Sequence, residues 1–295
     1  MSRRCAYHRP MTNRQHFADL VRSGQPILAP VALDPLSARL VESLDFEAAY
    51  LSGGGFGFQL SVSEALLTTT EVANLTRQIT ARSDIPLIVD GGVGFGDPLH
   101  TWRAVREIEA AGAAAIEIED QVAPKRAHHH KGVEHLVPME MMVDKVREAV
   151  DARRDEDFII IARTGAVRNE SFERALERCA AYREAGADVL MLFTSDEAQI
   201  AEAGRVLGGP LSMMAPADRL DRKTLTSHGF NVLIDPFTGQ VAAYGAMRDV
   251  YRNIASSGTS GREVDELMSL YREVQGMAGM EDLYAIEERT TERPS

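Results

Sequence analysis

Asp90, Glu119 and Arg163 each stand at the end of a short apolar run of the sequence. Two carboxylates with oxygen chemistry around them are typical ligands of Mg2+ or Mn2+. An arginine can bind a carboxylate through two parallel hydrogen bonds. Brought together, the three residues predict a site for Mg2+ or Mn2+ beside a small anionic carboxylate substrate. The alternative is that the two carboxylates cap helices and that Arg163 neutralises Glu119.

Two glycine-rich runs, Ser52–Gly57 and Gly91–Gly96, follow apolar segments and offer backbone N–H groups to an anion. Glycine lets successive N–H groups turn toward a carboxylate or a phosphate. Neither run has the G-x-G-x-x-G or G-x-x-x-x-G-K-[ST] spacing, which disfavours a nucleotide site. Tight loops without a ligand are the alternative for both runs.

The segment Glu117–Gly132 is polar and contains three consecutive histidines, His128 to His130. Its composition predicts a mobile, solvated gate loop that carries titratable groups and does not belong to the core. Adjacent side chains diverge in an extended loop, so we do not expect the three histidines to ligate one ion.

The elements that must position these residues are eight apolar runs separated by helical stretches. Strands that are apolar on both faces are typical of a parallel sheet covered by helices. Eight such repeats in about 240 residues predict a (β/α)8 barrel, whose working face is at the carboxyl ends of the strands. A doubly wound sheet is the rival fold. The predicted strands are Pro26–Leu33, Ala48–Ser52, Pro86–Asp90, Ala114–Glu119, Phe158–Arg163, Val189–Phe193, Pro210–Met214 and Asn231–Asp235.

We expect one domain over residues 14–285, a flexible tail over 1–13 and a polar tail over 286–295, because no Pro-, Gly- or Ser-rich linker divides the chain. Helix starts are predicted at Asp34-Pro35, at Thr68 with Glu71 three residues later, and at Ser171. Rim carboxylates that we expect to act as helix caps are Asp34, Asp196 and Asp235.

The composition excludes several classes of protein. The 295 residues carry 32 Lys and Arg against 44 Asp and Glu, a net charge of −12, so no nucleic-acid partner is expected. We find neither the run of about 18 apolar residues that a transmembrane helix needs nor a signal peptide. Cys5 and Cys179 match no metal spacing, and Cys179 is predicted to be a buried thiol. A cytoplasmic enzyme that does not bind membranes is the expectation.

Five stretches of this chain resemble the isocitrate lyase/phosphoenolpyruvate mutase superfamily, nearest to its 2-methylisocitrate lyase and carboxyphosphonoenolpyruvate phosphonomutase branches. The resemblance implies a (β/α)8 barrel whose last helix swaps between subunits of a homotetramer or dimer. It also implies a site that holds Mg2+ and an enolpyruvate-like intermediate. The stretches are Asp34–Leu40, Tyr50–Gly54, Val89–Asp90 with Gly94–Gly96, Ile118–Val122 with Pro124–Arg126, and Ile160–Thr164.

The resemblance also implies roles for individual residues. Asp90 would be the main metal carboxylate, and Glu119 would orient metal-bound water. Arg163 would bind an oxyanion or carboxylate, and Tyr50 would lie near the hydroxyl that is deprotonated. Glu64 falls near a position that the resemblance implies to be acidic in similar enzymes. The residues that would hold the substrate carboxylate are Ser52, Gly53 and Gly54.

Five positions depart from the pattern of similar enzymes. The second aspartate, two residues after Asp90, is Gly92, and the acid cysteine of the lyases is replaced by Ala127. An aspartate after Arg163-Thr164, a glutamate after the sixth strand and an asparagine after the seventh are replaced by Gly165, Ser195 and Met213. Ordinary methylisocitrate cleavage is therefore not the expectation.

The predicted function is a Mg2+-dependent lyase that cleaves a C–C bond, by retro-aldol reaction or decarboxylation, in a small 2-oxo or 2-hydroxy carboxylic acid. His128 or His129 is the candidate acid in place of the cysteine, and Lys125 and Arg126 would draw in the anionic substrate. One alternative is carbon–phosphorus bond rearrangement or hydrolysis within the same superfamily. The other is a non-catalytic carboxylate-binding relative.

The helical stretch Arg262–Gln275 carries an apolar stripe that is too broad to stand exposed. Resemblance implies that this stretch packs on a neighbouring subunit. The stripe consists of Val264, Leu267, Met268, Leu270, Tyr271 and Val274.

Overall fold

The computed structural model describes residues 12–292, and within them eight parallel strands form one sheet. Neighbouring strands pair in the order β1-β8-β7-β6-β5-β4-β3-β2, and a parallel bridge from Val31 to Tyr50 closes the ring between β1 and β2. The predicted (β/α)8 barrel is confirmed. The strands are β1 Ile27–Pro30, β2 Ala49–Leu51, β3 Leu87–Asp90, β4 Ala115–Glu119, β5 Ile159–Thr164, β6 Val189–Leu192, β7 Leu211–Met214 and β8 Phe230–Asp235.

Helices surround the barrel, and the predicted start signals operate as hydrogen-bonded caps. Asp34 and Ser37 form a reciprocal capping box, as do Thr68 and Glu71, and Ser171 caps its helix. The helices are α1 Asn13–Ser23, α2 Pro35–Ser43, α3 Gly53–Gln59, α4 Thr69–Thr80, α5 Pro98–Ala110, α6 Met139–Ala152, α7 Ala166–Asn169, α8 Phe172–Glu184, α9 Glu197–Leu207, α10 Arg222–Ser227, α11 Thr238–Ser257, α12 Val264–Met277 and α13 Met280–Arg289.

Two apolar clusters form the core. The larger one lies between the strands and the surrounding helices and includes Cys179, which is fully buried as predicted. The smaller one joins inward-facing strand residues, among them Tyr50, to Phe17 and Val21 of α1. Because a barrel strand alternates its side chains between these clusters, each strand fixes which of its residues can reach the interior.

The predicted domain boundaries fall close to element ends. Helix α1 begins at Asn13, and α13 continues to Arg289, so the predicted polar tail over 286–295 begins inside a helix. The predicted tail over 1–13, together with Cys5, falls almost wholly outside the described residues. Among the helices of residues 12–292, none is long and apolar enough to cross a membrane.

The last three helices, α11 to α13, contain no buried residue, although α12 packs against α2 and Gln240 of α11 donates to the Gly55 carbonyl oxygen. The predicted stripe on α12 is exposed in the single chain, from 37 % at Leu267 to 70 % at Val264. Helix α11 exposes a similar row, with Val241, Tyr244 and Tyr251 among its members. The structure of one chain therefore leaves these apolar faces uncovered.

Candidate active site

Asp90 is fixed at the end of β3 by two backbone donors. The Gly53 N–H donates to its Oδ2 at 3.0 Å, and the Gly92 N–H donates to its Oδ1 at 2.8 Å. A Cβ on Gly53 would lie 2.7 Å from Glu64 Oε2 and 2.9 Å from Asp90 Oδ2, so only glycine fits between these carboxylates. Gly92, with φ +52°, supplies an N–H at the position where the resemblance implies an aspartate.

Lys125 lies between two other carboxylates. Its Nζ is 2.7 Å from Glu64 Oε1 and 2.5 Å from Glu119 Oε1, and its side chain is 5 % exposed. Glu64 follows helix α3 in the 3-10 turn Glu64–Leu66 and Glu119 ends β4, so the loops after β2 and β4 and the end of β4 meet at this ammonium group. Sequence reasoning placed Lys125 on the loop surface as a substrate attractor, whereas the structure pairs it with these carboxylates.

Arg163 spans the two glutamates of β4. Its Nη1 is 2.7 Å from Glu117 Oε1 and its Nη2 is 3.1 Å from Glu119 Oε2. Its guanidinium stacks 4.7 Å from the ring centre of Phe193. Tyr50 is fully buried in the barrel interior, and its hydroxyl donates to Glu117 Oε2 at 3.1 Å. Arg163 therefore forms ion pairs with both Glu117 and Glu119, and not with Glu119 alone.

Burial and charge shift the pKa values of this cluster in different directions. Burial raises the pKa of Glu117 to about 7 against the opposing charge of Arg163. Burial and the nearby Glu64 raise the pKa of Asp90. For Glu119, the attraction of Arg163 and Lys125 outweighs burial and lowers the pKa. The cluster therefore contains carboxyl groups of unequal acidity, an arrangement typical of acid–base sites.

The residue that sequence reasoning missed is Glu117. It lies two positions before Glu119 on β4, and both side chains are buried. Residues i and i+2 of a strand share one face, so the alternation Glu117-Ile118-Glu119 was the available signal. The prediction that Glu117–Gly132 is too polar for the core is wrong for its first part, which is buried among compensating charges of Arg163 and Lys125.

Asp120 follows Glu119 but belongs to a separate buried network behind the strands. It accepts hydrogen bonds from Thr164 Oγ1 at 2.6 Å, Tyr182 Oη at 2.8 Å and the Gly165 N–H at 3.1 Å. Arg178 Nη1 lies 3.3 Å away, and the same guanidinium donates to Glu170 through Nη2 and Nε. This network ties the end of β4 to the end of β5, which carries Arg163.

The loop with the histidines forms the 3-10 turn Ala127–Lys131. His129 contacts Glu64 Oε1 through Nε2, whereas His128 and Arg126 are exposed. Burial lowers the pKa of His129, but the Glu64 carboxylate and the Arg126 carbonyl outweigh it, and the net effect raises the pKa. Of the two predicted acids, the structure brings His129 to the carboxylate cluster.

Ser52 and Gly53, which are predicted to hold the substrate carboxylate, already make hydrogen bonds within the protein. Ser52 is the buried N-cap of α3 and accepts from the Gly55 N–H at 3.1 Å, while the Gly53 N–H already serves Asp90. Gly54 approaches Glu64 Oε2 to 3.7 Å at its Cβ position. The rim carboxylates Asp34 and Asp196 cap their helices as predicted, whereas Asp235 lies two residues before the N-cap of α11 and accepts from the N–H groups of Phe237 and Thr238.

Two cavities open at the carboxyl ends of the strands. One, of about 410 Å³, is lined by Gly53, Glu64, Asp90, Gly92 and Lys125. The other, of about 640 Å³, lies at the ends of β6 and β7 and includes Phe193, Ser195, Met213, Arg168 and Arg219. Phe193, which stacks on Arg163, borders the second cavity, so this arginine lies close to that cavity.

The residues present fit a divalent metal ion. Glu119 Oε1 is buried and makes no hydrogen bond of acceptable geometry, although it lies close to the Lys125 ammonium. Asp90 and Glu64 add further carboxylate oxygens around Gly53. Asp90, Glu64, Glu117 and Glu119 outnumber the permanent cations Lys125 and Arg163, so the cluster carries excess negative charge. Oxygen donors with excess negative charge suit Mg2+ or Mn2+.

Comparison with known proteins places the chain in a family. The phosphoenolpyruvate phosphomutase family model matches residues 17–255. The 2-methylisocitrate lyase of Aeropyrum pernix is 39% identical over 255 residues, which are 84% of this chain and 82% of that protein. The 2,3-dimethylmalate lyase of Eubacterium barkeri is 32% identical over 284 residues, 94% of this chain and 98% of that protein.

Solved structures extend the likeness to the whole barrel. Phosphonopyruvate hydrolase in complex with oxalate and Mg2+ has a TM-score of 0.84 at 29% identity, covering 95% of this chain and 100% of that one. Oxaloacetate acetylhydrolase with the inhibitor 3,3-difluorooxalacetate has a TM-score of 0.86 at 26% identity, covering 96% and 98%.

The chain belongs to the isocitrate lyase/phosphoenolpyruvate mutase superfamily. The predicted resemblance is confirmed, and so is the prediction of an enzyme of the carbon–carbon lyase type, since these relatives are named as lyases. The roles predicted for individual residues stay predictions.

Proposed function

We propose that this protein is a Mg2+- or Mn2+-dependent lyase that cleaves a C–C bond in a small 2-oxo or 2-hydroxy carboxylic acid. The observation that supports it is the connected cluster at the carboxyl ends of β3, β4 and β5: Asp90 and Lys125 line the first cavity, Lys125 pairs with Glu119, and Glu119 pairs with Arg163. A divalent ion bound there would supply positive charge to the substrate carboxylate and to the oxygen that becomes an enolate.

The chain's own residues supply the rest of the electrostatic stabilisation. Breaking a C–C bond beside a carbonyl or carboxylate leaves the electron pair on an enolate. Arg163 is held rigidly by Glu117, Glu119 and Phe193, so its remaining N–H donors are oriented before the charge develops. Ser52 and Gly54 at the start of α3 would hold the substrate carboxylate on the opposite side of the cavity.

Two proton transfers are needed for a retro-aldol reaction, and the site offers one group for each. The substrate hydroxyl must lose a proton. Tyr50 and Glu117 are hydrogen-bonded to each other, Glu117 also binds Arg163, and this pair would receive the proton. The enolate carbon must gain a proton, and His129 lies on the opposite loop against Glu64. We assign His129 as the acid in place of the missing cysteine.

We place the variable part of the substrate in the second cavity. Phe193 and Met213 give this cavity an apolar wall, and Arg168 and Arg219 lie at its rim. Ser195 and Met213 stand where related enzymes have a glutamate and an asparagine. The proposal is a substrate whose distal group is less polar than that of methylisocitrate.

The function is tested by a substrate screen. Purified protein is incubated with 2-oxo acids, 2-hydroxy diacids and phosphonates in the presence of Mg2+ or Mn2+, and the products are identified by mass. The expected result is a carbonyl product together with a second carboxylic acid. Phosphate among the products would instead support phosphonate chemistry, and ligand binding without turnover would support a non-catalytic relative.

The acid is tested by substituting His129→Gln and measuring turnover against pH. We expect kcat to fall by on the order of 10²-fold or more, with loss of the limb of the pH profile that reports the acid. The exposed His135→Gln is the matched control on the same loop. A wild-type pH profile in His129→Gln would assign the proton to water and favour decarboxylation.

The exposed apolar rows of α11 and α12 support a proposal of a homotetramer or dimer. Contiguous rows of exposed apolar side chains are typical of subunit contacts. A chain that ends at Ser260 lacks α12 and α13, and we expect it to dissociate or aggregate in size-exclusion chromatography with light scattering. A chain that ends at Arg289 keeps all helices and is the control. An unchanged oligomer in the shorter chain would refute the proposal.

A further inference from the structure

His129 is held in one tautomer by the backbone. Its Nδ1 lies 2.7 Å from the carbonyl oxygen of Arg126. A carbonyl oxygen only accepts hydrogen bonds, so Nδ1 carries the proton and Nε2 of the neutral ring presents a lone pair. Histidines that bind metals commonly have their other nitrogen tied to a backbone carbonyl in this way.

The lone-pair nitrogen of His129 points at a carboxylate. The side chain is 9 % exposed, and Nε2 contacts Glu64 Oε1 without the geometry of a hydrogen bond. A lone pair and a carboxylate oxygen repel each other unless a cation lies between them. That cation is either a second proton on the ring or a metal ion.

A second imidazole completes the cluster. The ring centres of His129 and His130 are 3.9 Å apart, and ligand atoms of Glu64, His129 and His130 lie within 4.8 Å of one another. The prediction that adjacent histidines diverge is wrong for this pair, because Ala127–Lys131 is a tight 3-10 turn and not an extended loop. Ser63 Oγ lies 3.3 Å from His130 Nε2 and holds the second ring in place.

We propose that Glu64, His129 and His130 form a second metal site, which takes a transition metal of the Zn2+ type. Two imidazole nitrogens and one carboxylate oxygen are a ligand set that Zn2+ accepts, with water as the fourth ligand. Mg2+ prefers oxygen ligands and near-octahedral geometry, so the same site discriminates against the ion proposed for Asp90.

The two sites share Glu64 but remain chemically distinct. Lys125 contacts Glu64 in this structure and would be repelled by a divalent ion there. It also pairs with Glu119, so it keeps a carboxylate partner when Glu64 turns to the metal. The nitrogen donors belong to the Ala127–Lys131 turn and the carboxylate to the Glu64–Leu66 turn.

A metal in this site would join these two turns across the mouth of the first cavity. It would also occupy His129 Nε2, the nitrogen that must carry the proton for transfer. We therefore expect Zn2+ to inhibit turnover. This consequence rests on the proposed function, whereas binding of the metal does not.

Binding is measured first, without substrate, on untagged protein in saturating Mg2+ at neutral pH. Co2+ serves as a spectroscopic probe of coordination, and Zn2+ affinity is measured by competition with a chromophoric chelator. Cys5→Ala with His8→Gln removes other soft ligands near the N-terminus and is the common background. The test variant is His130→Gln, and His135→Gln on the same loop is the matched control.

We expect a Co2+ absorption band of low-symmetry, four-coordinate type in the background protein and in the His135→Gln variant. His130→Gln should lose the band and bind Zn2+ at least about tenfold more weakly. Equal Zn2+ affinity in the two variants, or no band in the background protein, would overturn the proposal and assign the cation beside Glu64 to a ring proton.

Inhibition is measured second, with the substrate that the screen identifies. His130→Gln should keep wild-type turnover in Mg2+ and need at least about tenfold more Zn2+ for half inhibition. Absence of turnover in every variant would count against the proposed function, but the Co2+ and Zn2+ titrations would still decide the second metal site. Equal Zn2+ inhibition of the His130→Gln and His135→Gln variants would overturn the proposal that a metal at this site blocks turnover.

Discussion

Glu119 and Asp120 are neighbours in the chain and both are buried, yet they belong to two different regions of the molecule. The region behind the strands holds Asp120 with four donors, which come from the end of β5 and from α8. The region at the barrel mouth holds Glu119 between Lys125, Arg163 and Gln121. Adjacent strand residues face opposite sides, so one step along β4 separates the two regions.

The two carboxylates differ in the kind of partner that satisfies them. Asp120 bonds a hydroxyl, a phenol and a backbone N–H that packing holds in place, with Arg178 as its counter-charge. Glu119 has long charged side chains as partners, and its Oε1 makes no directed hydrogen bond. A fully satisfied buried carboxylate contributes to the fold, whereas an incompletely satisfied one is available to a ligand.

The largest effect is expected at the mouth, from Asp90→Asn. The amide keeps the shape but removes the charge, so metal affinity should fall at least about 100-fold and kcat/KM by on the order of 10³. Calorimetric titration with Mn2+ and steady-state kinetics measure the two effects. Stability should change little, because relief of the burial penalty on the charge is offset by the loss of one of the two bonds from Gly53 and Gly92, since an amide has one acceptor oxygen. Unchanged Mn2+ binding would remove Asp90 from the metal site.

The second prediction addresses the region behind the strands. Asp120→Asn leaves Arg178 with Glu170 as its remaining carboxylate partner, so unfolding free energy should fall by about 2–3 kcal/mol in urea titrations. Metal affinity should stay close to wild type. The exposed cap variant Asp196→Asn should change stability by less than about 0.5 kcal/mol, because Asn caps helices as well as Asp does. Loss of Mn2+ binding in Asp120→Asn would mean that the two regions are not separate.

The third prediction concerns Arg163, which links the regions because it directly precedes Thr164 and Gly165, the two residues at the end of β5 that bind Asp120. Arg163→Lys keeps the charge but loses the bidentate fork and the stacking on Phe193, so oxalate should bind about 10- to 100-fold more weakly. Isothermal calorimetry measures the change. Arg168→Lys, an exposed arginine at the second cavity, is the control. Equal oxalate affinity in Arg163→Lys and wild type would make Arg163 a purely structural residue.

The smallest effect is expected at Lys145, which lies between the two regions and donates to the Val93 carbonyl at 2.9 Å. Burial lowers its pKa, although Glu119 and Asp120 partly oppose that shift. Between this lowered folded-state pKa and the unfolded value of about 10.5, the unfolded chain binds more protons than the folded one, so this lysine makes stability rise with pH within that range.

Lys145→Met should therefore be as stable as wild type at neutral pH or more stable by about 1 kcal/mol. The stability difference between variant and wild type should shrink as the pH rises toward about 10.5. Urea unfolding across this pH range measures the difference, and the exposed Lys131→Met is the control. A pH-independent difference would show that the lysine acts through packing alone.

Much of the fold was predictable because it depends on local patterns. Eight apolar runs gave the eight strands, and short cap signals such as Thr68 with Glu71 gave the helix starts. These features involve residues close in sequence, whose hydrogen bonds and periodicity do not need the rest of the molecule. Asp90, Glu119 and Arg163 followed from the rule that strand ends meet in a barrel.

The sequence by itself determined the barrel, the family and the residues at the strand ends. Only the tertiary structure decided which charges face each other: Lys125 inside the mouth between Glu64 and Glu119, Glu117 beneath Arg163, and His129 beside His130. The pairings of Lys125 with Glu64 and of Glu117 with Arg163 join residues that are distant in sequence, and both bury a charge of a segment that its composition predicts to be exposed. Charge composition predicts exposure, but partners that are distant in sequence determine whether a charge can be buried.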